Sequence, residues 1–141
     1  MSRAEVQQAS DHFYAALRQV VTGNVQPMLD IWGHSPDVST LHPDGGRVVG
    51  WDAVRATWEG FAAVLTDGQV TVSDLLIQVV GDLAYTVGVE HAEFALAGER
   101  LRFEGRVTNV FRREADGWKI VHHHADTVPE VKAMVARLPG A

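Results

Sequence analysis

Three consecutive histidines, His122, His123 and His124, stand inside the stretch GWKIVHHHADTVP that runs from Gly117 to Pro129. Imidazole exchanges a proton near neutral pH without any special environment and is also the commonest metal ligand, so the run suggests proton transfer, ligand contact or metal binding. It is no purification tag, because it follows an apolar strand pattern and more chain comes after it. In a strand alternate side chains face opposite ways, which groups Trp118, Ile120, His122 and His124 on one face and Lys119, Val121 and His123 on the other. Trp118 and Ile120 call for burial, so the spacing predicts His122 and His124 toward the interior and His123 outward. Two histidines at that spacing can begin a metal site, but a third ligand is needed, and His42 is the nearest source. Against the metal stand hydrogen-bonded lining and contact with a small ligand. No acidic residue has a spacing that strengthens the metal reading.

The elements that would position these side chains can be read from periodicity. From Ala4 to Val21, apolar Val6, Ala9, Phe13, Ala16, Leu17, Val20 and Val21 recur at spacings of three and four, an amphipathic helix that Gly23-Asn24 stops. Val25, Met28, Leu29 and Trp32 mark a second short helix with Pro27 in its first turn. DVSTLHPDGG reads as a short strand ended by Pro43 and a turn. A third helix carries Trp51, Val54, Trp58, Phe61 and Leu65 on one stripe. From Gln69 to Thr127 the chain reads as four strands joined by Gly81-Asp82, Ala97-Gly98-Glu99 and Glu114 to Gly117, joints short enough for antiparallel hairpins. Pro129 opens a last helix. Helices first and a long-stranded antiparallel sheet after them predict an α+β fold with helices on one face; strands this long must curl, and a curled sheet closed by helices leaves a cone-shaped pocket.

The bulk composition narrows the classes. The chain has 141 residues, 46% hydrophobic and 21% charged, which fits one globular domain over residues 1–141. There is no cysteine, so disulfides, thiolate zinc sites and cysteine nucleophiles are excluded. A net charge of -6 argues against a nucleic-acid partner, which would require a basic face. The sequence lacks an apolar run that could span a bilayer and a signal-peptide pattern at its start, so no membrane association is expected and the location is expected to be cytoplasmic.

RVTNVFRREADGWKIVHHHAD (Arg106 to Asp126) resembles a hairpin of the SnoaL-like branch of the nuclear transport factor 2 superfamily, with its Arg/Thr strand, acidic-Gly turn, Trp and His-x-His ending. That superfamily also holds ketosteroid isomerase and the kinase association domain. LHPDGGRVVGWDAV is similar to the same family where a strand ends at a proline and a Gly-led helix follows. The resemblance implies the cystatin-like cone and a homodimer, and no cofactor is expected. It puts His42 where ketosteroid isomerase carries its general base and Asn109 where that enzyme holds a protonated carboxylic acid in its oxyanion hole. Tyr14 lies on the first helix but about two residues out of register with that enzyme's tyrosine, so steroid isomerisation is not predicted.

The expectation is therefore a small-molecule-binding protein, an isomerase, cyclase or hydrolase type of enzyme acting on a small apolar or carboxylate ligand. His42, Asn109 and His122 would do chemistry; Tyr14, Trp32, Trp51, Trp58, Arg106 and His124 would contact substrate, with the tryptophans also serving as core. Parity forbids Arg106 and Asn109 from both facing inward unless a bulge intervenes, for which Gly105 is a candidate. An inward Arg106 would select an anionic ligand, and an outward one would pair with Glu90 or Glu104. The alternative function is a non-catalytic association or ligand-binding module, with Lys119, Val121 and apolar residues of Gln69 to Val80 at its contact face.

Overall fold

The computed structural model describes residues 2–139. Its elements run α1 (Ser2–Val20), α2 (Gln26–Ile31), β1 (Ser39–His42), β2 (Gly45–Val49), α3 (Trp51–Val64), β3 (Leu65–Val80), β4 (Leu83–Leu96), β5 (Glu99–Glu114), β6 (Gly117–Ala125) and α4 (Pro129–Ala136). The six strands form one sheet in the order β2-β1-β6-β5-β4-β3. β1 runs parallel to β6, and the other neighbours are antiparallel. The α+β cone expected from the sequence is thus present, with the helices against the concave face. β2 was not expected. Its residues GGRVV show neither alternation nor continuous burial, and the strand exists because Pro43-Asp44 turns the chain back along β1.

α1 forms because its apolar positions recur at helical spacing, and it buries Val6, Phe13, Leu17 and Val20 against the sheet. Each such side chain contributes roughly 1.5–3 kcal/mol by leaving water. The sheet bends around this helix at two irregularities in β3, between Thr66 and Gln69 and between Ser73 and Leu76. Asp67 and Asp74 adopt positive φ there, of 52° and 54°. At Gly68 an added Cβ would lie 2.4 Å from the Val21 side chain, so only glycine lets the strand come this close to the end of α1. Arg3 and Arg18 of α1 donate to the carbonyls of Ile77 and Val70, covering part of the edge strand.

β4 and β5 pair without interruption from Leu83↔Arg112 to Leu96↔Glu99. The expected bulge at Gly105 is absent. It lies instead in β6, where the register shifts between Val110↔His122 and Phe111↔Ile120, leaving Val121 as the extra residue. Ile120 and Val121 are consequently both buried. The alternation beyond them is inverted.

Candidate functional site

That inversion reverses the expectation for the histidines. His123 points inward and is 2% exposed, whereas His122 is half-buried and His124 exposed on the convex face. The Ser39 hydroxyl and His122 Nδ1 share a hydrogen bond of 2.7 Å on that face. His42 faces the interior at 5% exposure. The three histidines considered as metal ligands therefore divide between opposite faces of the sheet. Among the described residues no cluster of three His, Cys, Asp or Glu side chains could hold a metal ion.

A chain of hydrogen bonds crosses the interior from β6 to β4. His123 lies beside Asn109 across the β5–β6 ladder, with Nδ1 2.7 Å from the Asn109 amide oxygen. An amide oxygen only accepts, so Nδ1 carries the proton and Nε2 keeps its lone pair. The Asn109 amide nitrogen donates to the Tyr14 hydroxyl at 3.4 Å, and that hydroxyl donates to Glu90 Oε2 at 2.8 Å. Every donor in the chain points toward the Glu90 carboxylate. Asn109 is fully buried, which fixes the parity of β5: Asn109 is inward and Arg106 outward.

Glu90 is the residue that the sequence reading missed. It is 8% exposed in an apolar wall. Burial pushes its carboxyl up to about 7, and the Tyr14 hydrogen bond offsets part of that rise. Burial, with the adjacent Glu90 charge, raises the Tyr14 phenol above its ordinary range. A signal was present in the strand: Ala84, Thr86, Ala92, Phe94 and Leu96 share the parity of Glu90 and are buried, so a carboxyl stands on a face otherwise uncharged.

His42 sits at the end of β1 with its ring edge-on to Trp58 and Phe61, at centroid distances of 4.6 and 4.9 Å. Thr57 of α3 gives its hydroxyl proton to the Val54 carbonyl at 2.6 Å, and its oxygen lies 2.8 Å from His42 Nε2. With that proton committed, Thr57 must accept from Nε2–H, which leaves the lone pair of His42 on Nδ1. Burial alone brings His42 down to about 3, and burial followed by the neighbouring histidines lowers His123 well below the imidazole range. Both rings are neutral at pH 7.

His42, His123, Glu90 and Trp58 line a cavity of about 70 Å³ whose other walls include Leu17, Phe61, Phe94 and Val131. No lysine or arginine reaches it among the described residues. Among the described residues the Trp58 indole N–H has no hydrogen-bond partner. Tyr14 and Asn109 stand behind Glu90 and His123 in the hydrogen-bond chain. Trp32 is core, and Trp51 stacks on His34 at 4.1 Å, so neither lines this cavity. Arg106 is also outside, with a side chain 83% exposed and paired to Asp126 rather than to Glu90 or Glu104. Val121 is buried, and Lys119 donates to the Asp30 carbonyl at the end of α2 with its side chain only 20% exposed, so neither is prominent on the expected contact surface.

Solved structures with the same architecture are numerous. A protein of the NTF2-like family from Streptomyces avermitilis, proposed to be a dehydratase, superposes with a TM-score of 0.79 at 26% identity, over 90% of this chain and 96% of its own. A proposed calcium/calmodulin-dependent protein kinase type II association domain from Thiobacillus denitrificans matches with a TM-score of 0.62 at 28% identity, over 86% and 94% of the two chains. A proposed aromatic ring hydroxylase from Novosphingobium aromaticivorans has a TM-score of 0.74 at 20% identity, covering 89% and 88%, and shares the fold. No curated protein matches the sequence. The sequence profile of the SnoaL-like domain matches residues 6–129, nearly the whole of the chain, which therefore belongs to the SnoaL-like family of the nuclear transport factor 2-like superfamily.

Proposed function

We propose that the protein binds a neutral small molecule in the cavity beside Glu90 and catalyses proton transfer on it without a cofactor. The observation that carries the reading is the Glu90 carboxyl, buried in an apolar wall, held by Tyr14 and brought to about 7, where one group both takes and returns a proton at neutral pH. Glu90 is the base in place of His42, which burial keeps neutral and too weakly basic for the role. Asn109 and Tyr14 organise the carboxylate, and His123 holds Asn109.

The unpartnered Trp58 N–H supplies the complementary donor. In a carbonyl substrate, Glu90 would take the proton from the carbon next to the carbonyl. The C–H electron pair would form a C=C bond as the C=O π pair moves onto the oxygen, which accepts from Trp58 Nε1–H, and Glu90 would then return the proton to carbon. The cavity does not suit a carboxylate ligand, since no lysine or arginine lines it among the described residues.

Exchange with solvent deuterium tests this without knowledge of the natural substrate. A panel of neutral ketones in D2O, followed by proton NMR, is expected to lose α-protons with wild-type protein at a rate rising through a midpoint near pH 7. Glu90→Gln should reduce that rate at least a hundredfold. Equal exchange by Glu90→Gln would discard the role of Glu90.

A second reading, an association module, is favoured by the exposed apolar residues Leu76, Val80, Leu83, Tyr85 and Val87 on the convex face and by the likeness to a kinase association domain. A homodimer in which two such faces cover each other is part of it. Assembly and catalysis are compatible on one chain, because the two surfaces lie on opposite sides of the sheet.

A further inference from the structure

The cavity beside Glu90 is too small for most ligands. At about 70 Å³ it has room for roughly five to seven groups of the size of water, whereas small-molecule pockets run from about 300 to 1,000 Å³. A second hollow of about 320 Å³ adjoins it, between the β1–β2 turn, α3 and the end of α4. His42 and Phe61 belong to the walls of both. α4 also serves both: Val131 lines the inner cavity, and Val135, on the same helix face one turn later, lines the outer groove. The groove is walled by Val48, Val64, Val135 and Leu138, and among its described lining residues there is no lysine or arginine and one carboxyl, that of the half-buried Asp44.

We infer that the ligand has two parts, a small polar head beside Glu90 and an apolar, uncharged tail that passes His42 and Phe61 into the outer groove, with Phe61 setting the length of tail admitted. The inference rests on the proposed binding role of the inner cavity and adds the shape of the ligand. A mostly apolar wall with no lysine or arginine among its described residues favours a tail by the apolar area it buries. Phe61 is half-buried and held edge-on to His42 at 4.9 Å, so its ring forms the partition between the two spaces.

Straight-chain methyl ketones from butan-2-one to dodecan-2-one are the probe, with affinity read by calorimetry and head placement by the Trp58 indole N–H resonance. In wild-type protein, affinity is expected to tighten roughly three- to fourfold per methylene well beyond the length that the inner cavity holds. Leu138→Trp, which fills only the outer groove, should stop that gain at short ketones while leaving the shortest ones bound. Phe61→Trp, in the wall shared with the inner cavity, should stop the gain and weaken the shortest ketones as well. A plateau in wild-type affinity at five or six carbons, with the Trp58 signal still shifted, would overturn the two-part ligand and leave the inner site standing. Absence of any Trp58 shift with every ketone would overturn both.

Discussion

Tyr14 and Glu90, 76 residues apart in the chain, meet where α1 crosses β4, the phenol donating to the carboxylate at 2.8 Å. The contact joins the first helix to the middle of β4 and puts the only carboxylate among the described residues lining the inner cavity under the control of a neutral donor. Burial makes that carboxylate hard to ionise, and Tyr14 works against burial.

Replacing Tyr14 by Phe removes the donor that favours the charged form, so the Glu90 midpoint should move above about 7. Carbon-13 NMR of the Glu90 side chain reads this directly, and a midpoint that stayed or fell would contradict the assignment. The Asn109 amide loses a partner as well. Stability should drop by about 1–3 kcal/mol.

Glu90→Gln tests the same group through folding. The ordinary carboxyl value is 4.5 and the folded one about 7, so between those limits the native state keeps a proton that the unfolded chain has lost. The stability from this group is therefore full below pH 4.5 and disappears as pH rises through 7. Relative to wild type, the Gln variant should gain about 3 kcal/mol between pH 4 and pH 7.5 in denaturant titrations. A pH-independent difference would mean that Glu90 titrates normally.

His42 has the opposite sign. Its folded value of about 3 lies below the ordinary 6.5, so the unfolded chain takes up a proton first and stability present above pH 6.5 is lost as pH falls toward 3. At pH 5 the loss is about 2 kcal/mol from this ring. His123 acts in the same direction. A His42→Gln variant should show a shallower acid limb than wild type, and an unchanged limb would place His42 in water.

The convex face gives a test of assembly. Leu83 and Tyr85 point outward at 50% and 41% exposure, with Val87 next on the same strand face. If this surface covers a second copy, sedimentation at micromolar concentration should give a dimer for wild type and a monomer for Tyr85→Arg. Identical masses for the two proteins would assign the apolar face another role.

Much of this architecture was legible because period and punctuation agree. Val6, Phe13, Leu17 and Val20 recur at helical spacing, and Gly81-Asp82 and Ala97-Gly98 sit where the hairpins turn. β2 was hidden because its burial pattern has no period. The site was read less well for one reason. Side-chain direction in a strand depends on an unbroken count, and one extra residue at Val121 exchanges His123 for His122 and His124. Ile120 and Val121, adjacent and both apolar, were the available hint, since a regular strand cannot bury two neighbours on one face. Arg106 and Asn109 differ in parity, and only the uninterrupted β4–β5 ladder decides between them.

The added residue at Val121 also bears on inheritance of function by alignment. Where a relative's strand lacks this extra residue, the positions that align with His122 and His124 without a gap face its pocket and correspond in space to His123 and Ala125. Where the relative carries it, the ungapped match holds, so the register of the hairpin has to be read before a role is carried across.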